Sequence, residues 1–182
     1  MKELSLNILD VTENSVKAGA SKTEILLEET EDTLTIKIVD DGCGMDEETV
    51  KSVVDPFYTT RTTRKVGLGV PLLKMAAEQT GGSFSVESSV GKDNHGTCVT
   101  AVFNKNHLDF TPLGDIVSTV TTLIQGHPDT DFYFSHKTPK GEVELDTREI
   151  RQVLEGVPLN SYEVIKWIED YLKEGYSEIR QL

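Results

Sequence analysis

Cysteine is scarce in this sequence: Cys43 and Cys98 are the only two in 182 residues, with no metal-type spacing between them. That excludes a disulfide framework and points to a cytoplasmic protein. Long apolar runs are missing as well. No stretch of 18 apolar residues occurs, so no segment reads as a membrane span, and the opening residues 1–10 lack the apolar core of a signal peptide. Positive charge is the third shortage, with 18 Lys and Arg against 31 Asp and Glu for a net charge of −13. The deficit runs through the whole chain: residues 1–105 hold 11 basic and 17 acidic residues, residues 106–182 hold 7 and 14. Such a surface repels nucleic acid and anionic lipid, and both are excluded as partners. It also opposes any anionic ligand, so a site for one must gather positive potential locally.

What is present is a soluble globular composition, 37% hydrophobic and 27% charged, without an internal repeat or a low-complexity tract. Residues 3–18 carry Leu4, Ile8, Leu9, Val11, Thr12 and Val16 near a 3.6 period, which predicts a helix ending at Ala18-Gly19. Two alternating runs, Thr23–Glu29 and Thr33–Val39, predict a hairpin around the acidic turn between them. A short helix over 46–54 capped by Asp46 follows, then a loop over 55–66, then a helix over Gly69–Thr80 stopped by Gly81-Gly82. Ser83–Ser89 and Gly96–Phe103 predict a second strand pair. Composition shifts at 104–106. Beyond it the pattern predicts a helix over 112–125 begun by Pro112, strands over Asp131–His136 and Glu142–Leu145, a helix over 147–155, and a last helix over 161–174 capped by Asn160 or Ser161. Two units are expected, 1–105 and a small α/β region over 106–182 that packs on the first.

Four clusters carry chemistry, in a fixed order. In the first, Asp10, Asn14 and Lys17 are spaced i, i+4, i+7 and share one helix face. An amide oxygen there suits a hard cation such as Mg²⁺, which prefers oxygen ligands and shares them with phosphates; an exposed polar face accounts for the same spacing. The second, Asp40-Asp41-Gly42-Cys43-Gly44-Met45, follows a strand. A carboxylate at a strand end accepts a hydrogen bond from an exocyclic amine, and the glycines let backbone approach a flat ring. The third runs from Asp55 to Gly69, with Arg61, Arg64 and Lys65 ahead of Gly67-Leu68-Gly69, which opens a helix. Free N–H groups and the helix dipole attract phosphate at such a start. The fourth is Gly91–Thr97, where Thr97 supplies a hydroxyl.

In order and spacing these clusters resemble the N, G1, F/G2 and G3 boxes of the GHKL superfamily, over residues 4–103. The resemblance implies an α+β fold: a two-layer α/β sandwich of the Bergerat type, with helices covering a mixed, mostly antiparallel sheet, and here a small α/β C-terminal appendage. It implies ATP held under a lid formed by residues 55–68. Asn14 would coordinate Mg²⁺, Asp40 would bond the adenine amino group, Gly42 and Gly44 would line the base, Gly67 and Gly69 would meet the phosphates, and Thr97 would sit near the adenine. Lys17, Arg64, Lys65 and Leu68 fall within the same boxes.

The branch signals are mixed. Glu13-Asn14-Ser15 and Asp41–Met45 resemble MutL-like ATPases. Pro56–Thr60, the Gly67–Val70 turn and Lys17 resemble sensor histidine kinases, and the lid, which differs most between branches, favours the kinase side. No two-helix segment with a phospho-accepting histidine is expected ahead of the domain, and His107-Leu-Asp-Phe-Thr-Pro112 resembles such a box only faintly. Asp10 occupies the position where hydrolysing relatives place a general-base glutamate. Two activities are therefore expected: γ-phosphoryl transfer from ATP-Mg to a separate partner protein, or an ATP-gated regulatory module with slow hydrolysis through Asp10.

Overall fold

The computed structural model describes residues 3–55 and 68–181. Its element order is α1 (Leu4–Lys17), β1 (Lys22–Glu29), β2 (Thr33–Asp40), α2 (Glu47–Val54), α3 (Gly69–Gln79), β3 (Ser83–Val90), β4 (His95–Asn104), α4 (Ile116–Gly126), β5 (Asp131–Thr138), β6 (Gly141–Asp146), α5 (Thr147–Leu154) and α6 (Tyr162–Arg180). The strands form one sheet in the order β3-β4-β2-β1-β5-β6. Four of its pairings are antiparallel and one, β1 with β5, is parallel. The expected α+β, mostly antiparallel sandwich is what the chain adopts.

Alternation along the strands sets the inner face. Ile25 and Leu27 of β1, Leu34, Ile36 and Ile38 of β2, and Val99, Ala101 and Phe103 of β4 are buried, while Lys37 on the opposite face of β2 is exposed. A one-residue slip would reverse all of these, so the hydrophobic pattern itself pins the register. The inner face packs with Leu4, Ile8 and Val11 of α1 and Val70, Leu73 and Ala77 of α3 in a single hydrophobic cluster. Phe132 and Phe134 of β5, Val120 and Leu123 of α4, and Ile168 and Leu172 of α6 belong to the same cluster. The elements beyond residue 105 thus continue the first sheet and the first core.

Two ends differ from the sequence pattern. The helix expected from Pro112 begins at Ile116, because Asp115 caps it by accepting from the Ser118 amide at 3.0 Å. The freed segment turns back on α1, whose first two amides donate to the carbonyls of Pro112 (2.9 Å) and Leu113 (2.8 Å). Those carbonyls satisfy helix-start donors that Glu3, at the cap position, does not. The last helix passes through Gly175 to Arg180 instead of stopping at 174. A Cβ at Gly175 would stand 3.4 Å from both Val143 methyls, so the glycine brings α6 close to β6 rather than ending it. Ser161 holds the cap position of α6 without a side-chain bond.

A partly buried polar chain ties the two halves together. Glu29 at the end of β1 accepts from His136 Nε2 (3.2 Å) and Lys105 Nζ (3.4 Å), and His136 Nδ1 meets the Tyr176 hydroxyl at 2.7 Å. A carboxylate only accepts, which assigns the imidazole proton to Nε2 and leaves Nδ1 to accept from Tyr176. The His136 hydrogen bond is the main influence holding Glu29 below its ordinary value, and burial pushes the Tyr176 hydroxyl well up.

Candidate functional site

The end of β2 converts the Asp40-Asp41 pair into two different groups. Asp41 binds the start of β1: its carboxylate accepts from the Ser21 amide (2.8 Å), the Ser21 hydroxyl (2.5 Å) and the Lys22 amide (3.0 Å). Partial burial pushes this carboxyl up, but those hydrogen bonds outweigh it and hold Asp41 below its ordinary value. Asp40 turns toward α1 instead. Its Oδ2 accepts from the Ser15 hydroxyl at 2.7 Å and its Oδ1 from the Gly42 amide at 2.9 Å. An ionised carboxylate has about four acceptor positions, so a fixed Asp40 retains capacity for a further donor.

The loop beyond it is built to be thin. A Cβ on Gly42 would lie 2.9 Å from Ala18 Cβ, and one on Gly44, whose φ is +75°, would fall inside the Ser89 carbonyl group. Only glycine fits there, because φ is positive and a neighbouring backbone closes in. Three bonds hold the loop to its surroundings. The Cys43 amide donates to Ala18 O (2.9 Å), the Met45 amide to Ser88 Oγ (2.7 Å), and His95 Nδ1 to Gly42 O (2.6 Å). Ser88 also bonds Thr97 Oγ1 at 2.8 Å, and Thr97 is the register partner of Asp40 across β2 and β4. Asp40, Gly42, Gly44 and Thr97 are therefore brought together. Ser15, Ser88 and His95, which the sequence reading did not assign to the site, complete the group. Ser15 immediately follows Asn14, the position that drew attention; Ser88 and His95 become legible only once the strand register is known.

The α1 residues line a neighbouring side. Asn14 is half-buried, and its amide has no hydrogen-bond partner among the described residues; Asp10 and Lys17 are exposed. Glu13, between them, bonds His127 Nε2 at 2.9 Å and is engaged elsewhere. Gly69 opens α3 against this helix: a Cβ there would lie 2.8 Å from Asp10 Cβ. With Leu68 at the cap position and, among the described residues, no side-chain cap bond and no acidic residue in its first turn, α3 begins beside Asp10. Arg64, Lys65, Gly67 and most of the 55–68 segment lie outside the described residues. His107 sits exposed in the turn after β4, where its Nδ1 accepts from the Asp109 amide at 3.1 Å.

Residues 2–107 match the sequence profile of a family described as histidine kinase-, DNA gyrase B- and HSP90-like ATPase. Sensor histidine kinase YvrG of Bacillus subtilis is 35% identical over 98 residues, a match covering 50% of this chain and 16% of that protein. The chain thus aligns with about a sixth of the length of such curated relatives. Among solved structures, the N-terminal domain of a DNA repair protein superposes with a TM-score of 0.56 at 18% identity, over 80% of this chain and 52% of the other. The Aquifex aeolicus MutL ATPase domain complexed with ADP gives 0.51 at 16%, over 85% and 70%. The likeness of fold extends beyond the stretch matched by the family profile. Among the described residues no helix is long and apolar enough to cross a membrane.

Proposed function

Because the chain belongs to the histidine kinase-, DNA gyrase B- and HSP90-like ATPase family, we propose that it binds ATP-Mg between α1, the end of β2 and the start of α3, and transfers the γ-phosphoryl group to a partner protein. The observation that carries this reading is Asp40, held on both oxygens and set opposite Thr97 beside a glycine-thinned loop. Such a carboxylate is fixed to accept from an adenine amino group. The Thr97 hydroxyl is the neighbouring polar contact, and Gly42 and Gly44 leave space for the flat ring. The N-terminus of α3 offers its first amides to the phosphates, and Arg64 and Lys65 supply positive charge from the preceding segment.

Asn14 fits a Mg²⁺ role by the chemistry of its donor, a half-buried amide oxygen with no competing partner among the described residues. Those residues contain no group of three His, Cys, Asp or Glu able to enclose an ion, so Asn14 would hold it together with phosphate oxygens. The ion would supply charge neutralisation at the phosphates. What the chain itself supplies is position and electrostatics, the main requirements of phosphoryl transfer. Lys17, one turn beyond Asn14, adds a positive charge at the end of α1.

One observation favours a second reading. Asp10 is exposed and in register with Gly69 at the α3 N-terminus, the position from which a carboxylate orients a water toward a terminal phosphate. This would make the chain an ATP-gated regulatory module with slow hydrolysis. The fate of γ-labelled phosphate separates the two. Label on a partner encoded nearby supports transfer. Free phosphate without labelled protein, lost in Asp10→Asn, supports hydrolysis, and neither product from bound ATP overturns both.

A further inference from the structure

On the other half of the sheet, three strands from β2, a cleft of about 790 Å³ opens between β6, α5 and α6. Leu145 and Val164 close its floor and are buried. Its open side is apolar to a degree unusual for a water-facing surface: Val153 is 82% exposed, Trp167 53% and Val157 49%. Trp167 and Tyr171, one helical turn apart on α6, stack at 5.3 Å with their planes 16° apart, presenting a flat aromatic face to the cleft. The Ser161 hydroxyl in the wall is buried without a partner among the described residues.

The rim has one sign of charge. Glu144, Asp146, Glu149 and Glu163 line the cleft, and among the described residues no lysine or arginine does. Arg148 pairs with Asp146 at 2.8 Å, whereas Glu149 and Glu163 have no partner among the described residues. Lys166 and Lys173 on α6 are paired with Asp170 and Glu169 and do not relieve the rim.

We propose that this cleft docks a cationic amphipathic helix of a partner protein, its apolar stripe against Val153, Val157 and Trp167 and its lysines or arginines over Glu149 and Glu163. An apolar groove between two helices takes a further helix through anchors at i, i+3 or i+4 and i+7. The aromatic pair adds cation–π attraction, and aromatic residues are the usual anchors of an interface. A second copy of this chain is disfavoured as occupant: with a net charge of −13 it would set carboxylates against carboxylates. The cleft is separate from Asp40 and Asn14, so this assignment holds whichever fate of ATP the nucleotide site supports.

Trp167 is the only tryptophan in the chain, so its fluorescence reports directly on the cleft. The full chain is titrated with an 18-residue Lys/Leu amphipathic helix, a scrambled peptide of the same composition, and a Glu/Leu counterpart. Saturable change with the Lys/Leu helix is expected, at least tenfold weaker with the scramble and absent with Glu/Leu. Val153→Asp, and Glu149→Gln together with Glu163→Gln, should each weaken binding at least tenfold while circular dichroism and ATP affinity stay unchanged. Equal binding of the scrambled peptide, indifference to both variants, no Trp167 response, or self-association in sedimentation that Val153→Asp abolishes would each overturn the assignment.

Discussion

The Ser15–Asp40 bond joins α1 to the end of β2, and removing it should register in both stability and nucleotide affinity. Ser15 is 4% exposed and its hydroxyl lies 2.7 Å from Asp40 Oδ2. Hydrogen bonds to charged groups contribute about 1.5–3 kcal/mol, and a serine-to-alanine change in a helix returns up to about 0.5 kcal/mol. Ser15→Ala is thus expected to cost about 1–3 kcal/mol. In Asp40→Ala both donors, the Ser15 hydroxyl and the Gly42 N–H, lose their acceptor. A double-mutant cycle with both changes should return a coupling of about 1–2 kcal/mol in urea unfolding. A released carboxylate also orients an adenine less well, so a fluescent ADP analogue should bind Ser15→Ala about tenfold more weakly, which is about 1.4 kcal/mol. Coupling below about 0.3 kcal/mol, within ordinary additivity error, together with unchanged nucleotide affinity, would refute the role given to this bond.

Other outcomes follow from the same contacts. Asn7 is 1% exposed on α1 and neither amide atom has a hydrogen-bond partner among the described residues; replacing it by leucine should raise stability by about 1–3 kcal/mol in urea or thermal unfolding, since an unsatisfied buried amide costs that much. Gly44→Ala forces a methyl into the Ser89 carbonyl at a φ of +75°, and should abolish analogue binding while circular dichroism retains the helices. Glu29 is held below its ordinary value of 4.5, first by the His136 hydrogen bond. A depressed carboxylate contributes stability above its unfolded value and loses it as pH falls through the lower folded one. Glu29→Gln should therefore be less stable than the wild type by about 1–2 kcal/mol at pH 7, with the gap narrowing below pH 4.5; a gap that is constant with pH would contradict the assignment.

Most of the element order is legible in the sequence because its signals are local. The 3.6 period of α1, the alternation of β1 and β2, the Asp46 cap and the Gly81-Gly82 stop each act within a few residues. Where the reading stopped short, the deciding contact was distant. Gly175 reads as a helix end until Val143 is known to lie against it, and Pro112 reads as a helix start until its carbonyl is found on the Leu4 amide. Alternation in β5 announces a strand but not its partner, so its parallel pairing with β1 was beyond reach. At the site, the motif resemblance singles out Asp40 from the Asp40-Asp41 pair, and the approach of Ser15 to one and Ser21 to the other supplies the physical difference between them.

Calorimetric titration of ATP, with and without magnesium, into the wild type, Asp40→Ala and Asn14→Ala tests the nucleotide site most directly. The expected result is binding strengthened by Mg²⁺ in the wild type, at least tenfold weaker in Asp40→Ala, and stripped of its Mg²⁺ dependence in Asn14→Ala. Unchanged ATP-Mg affinity in both variants would contradict the account.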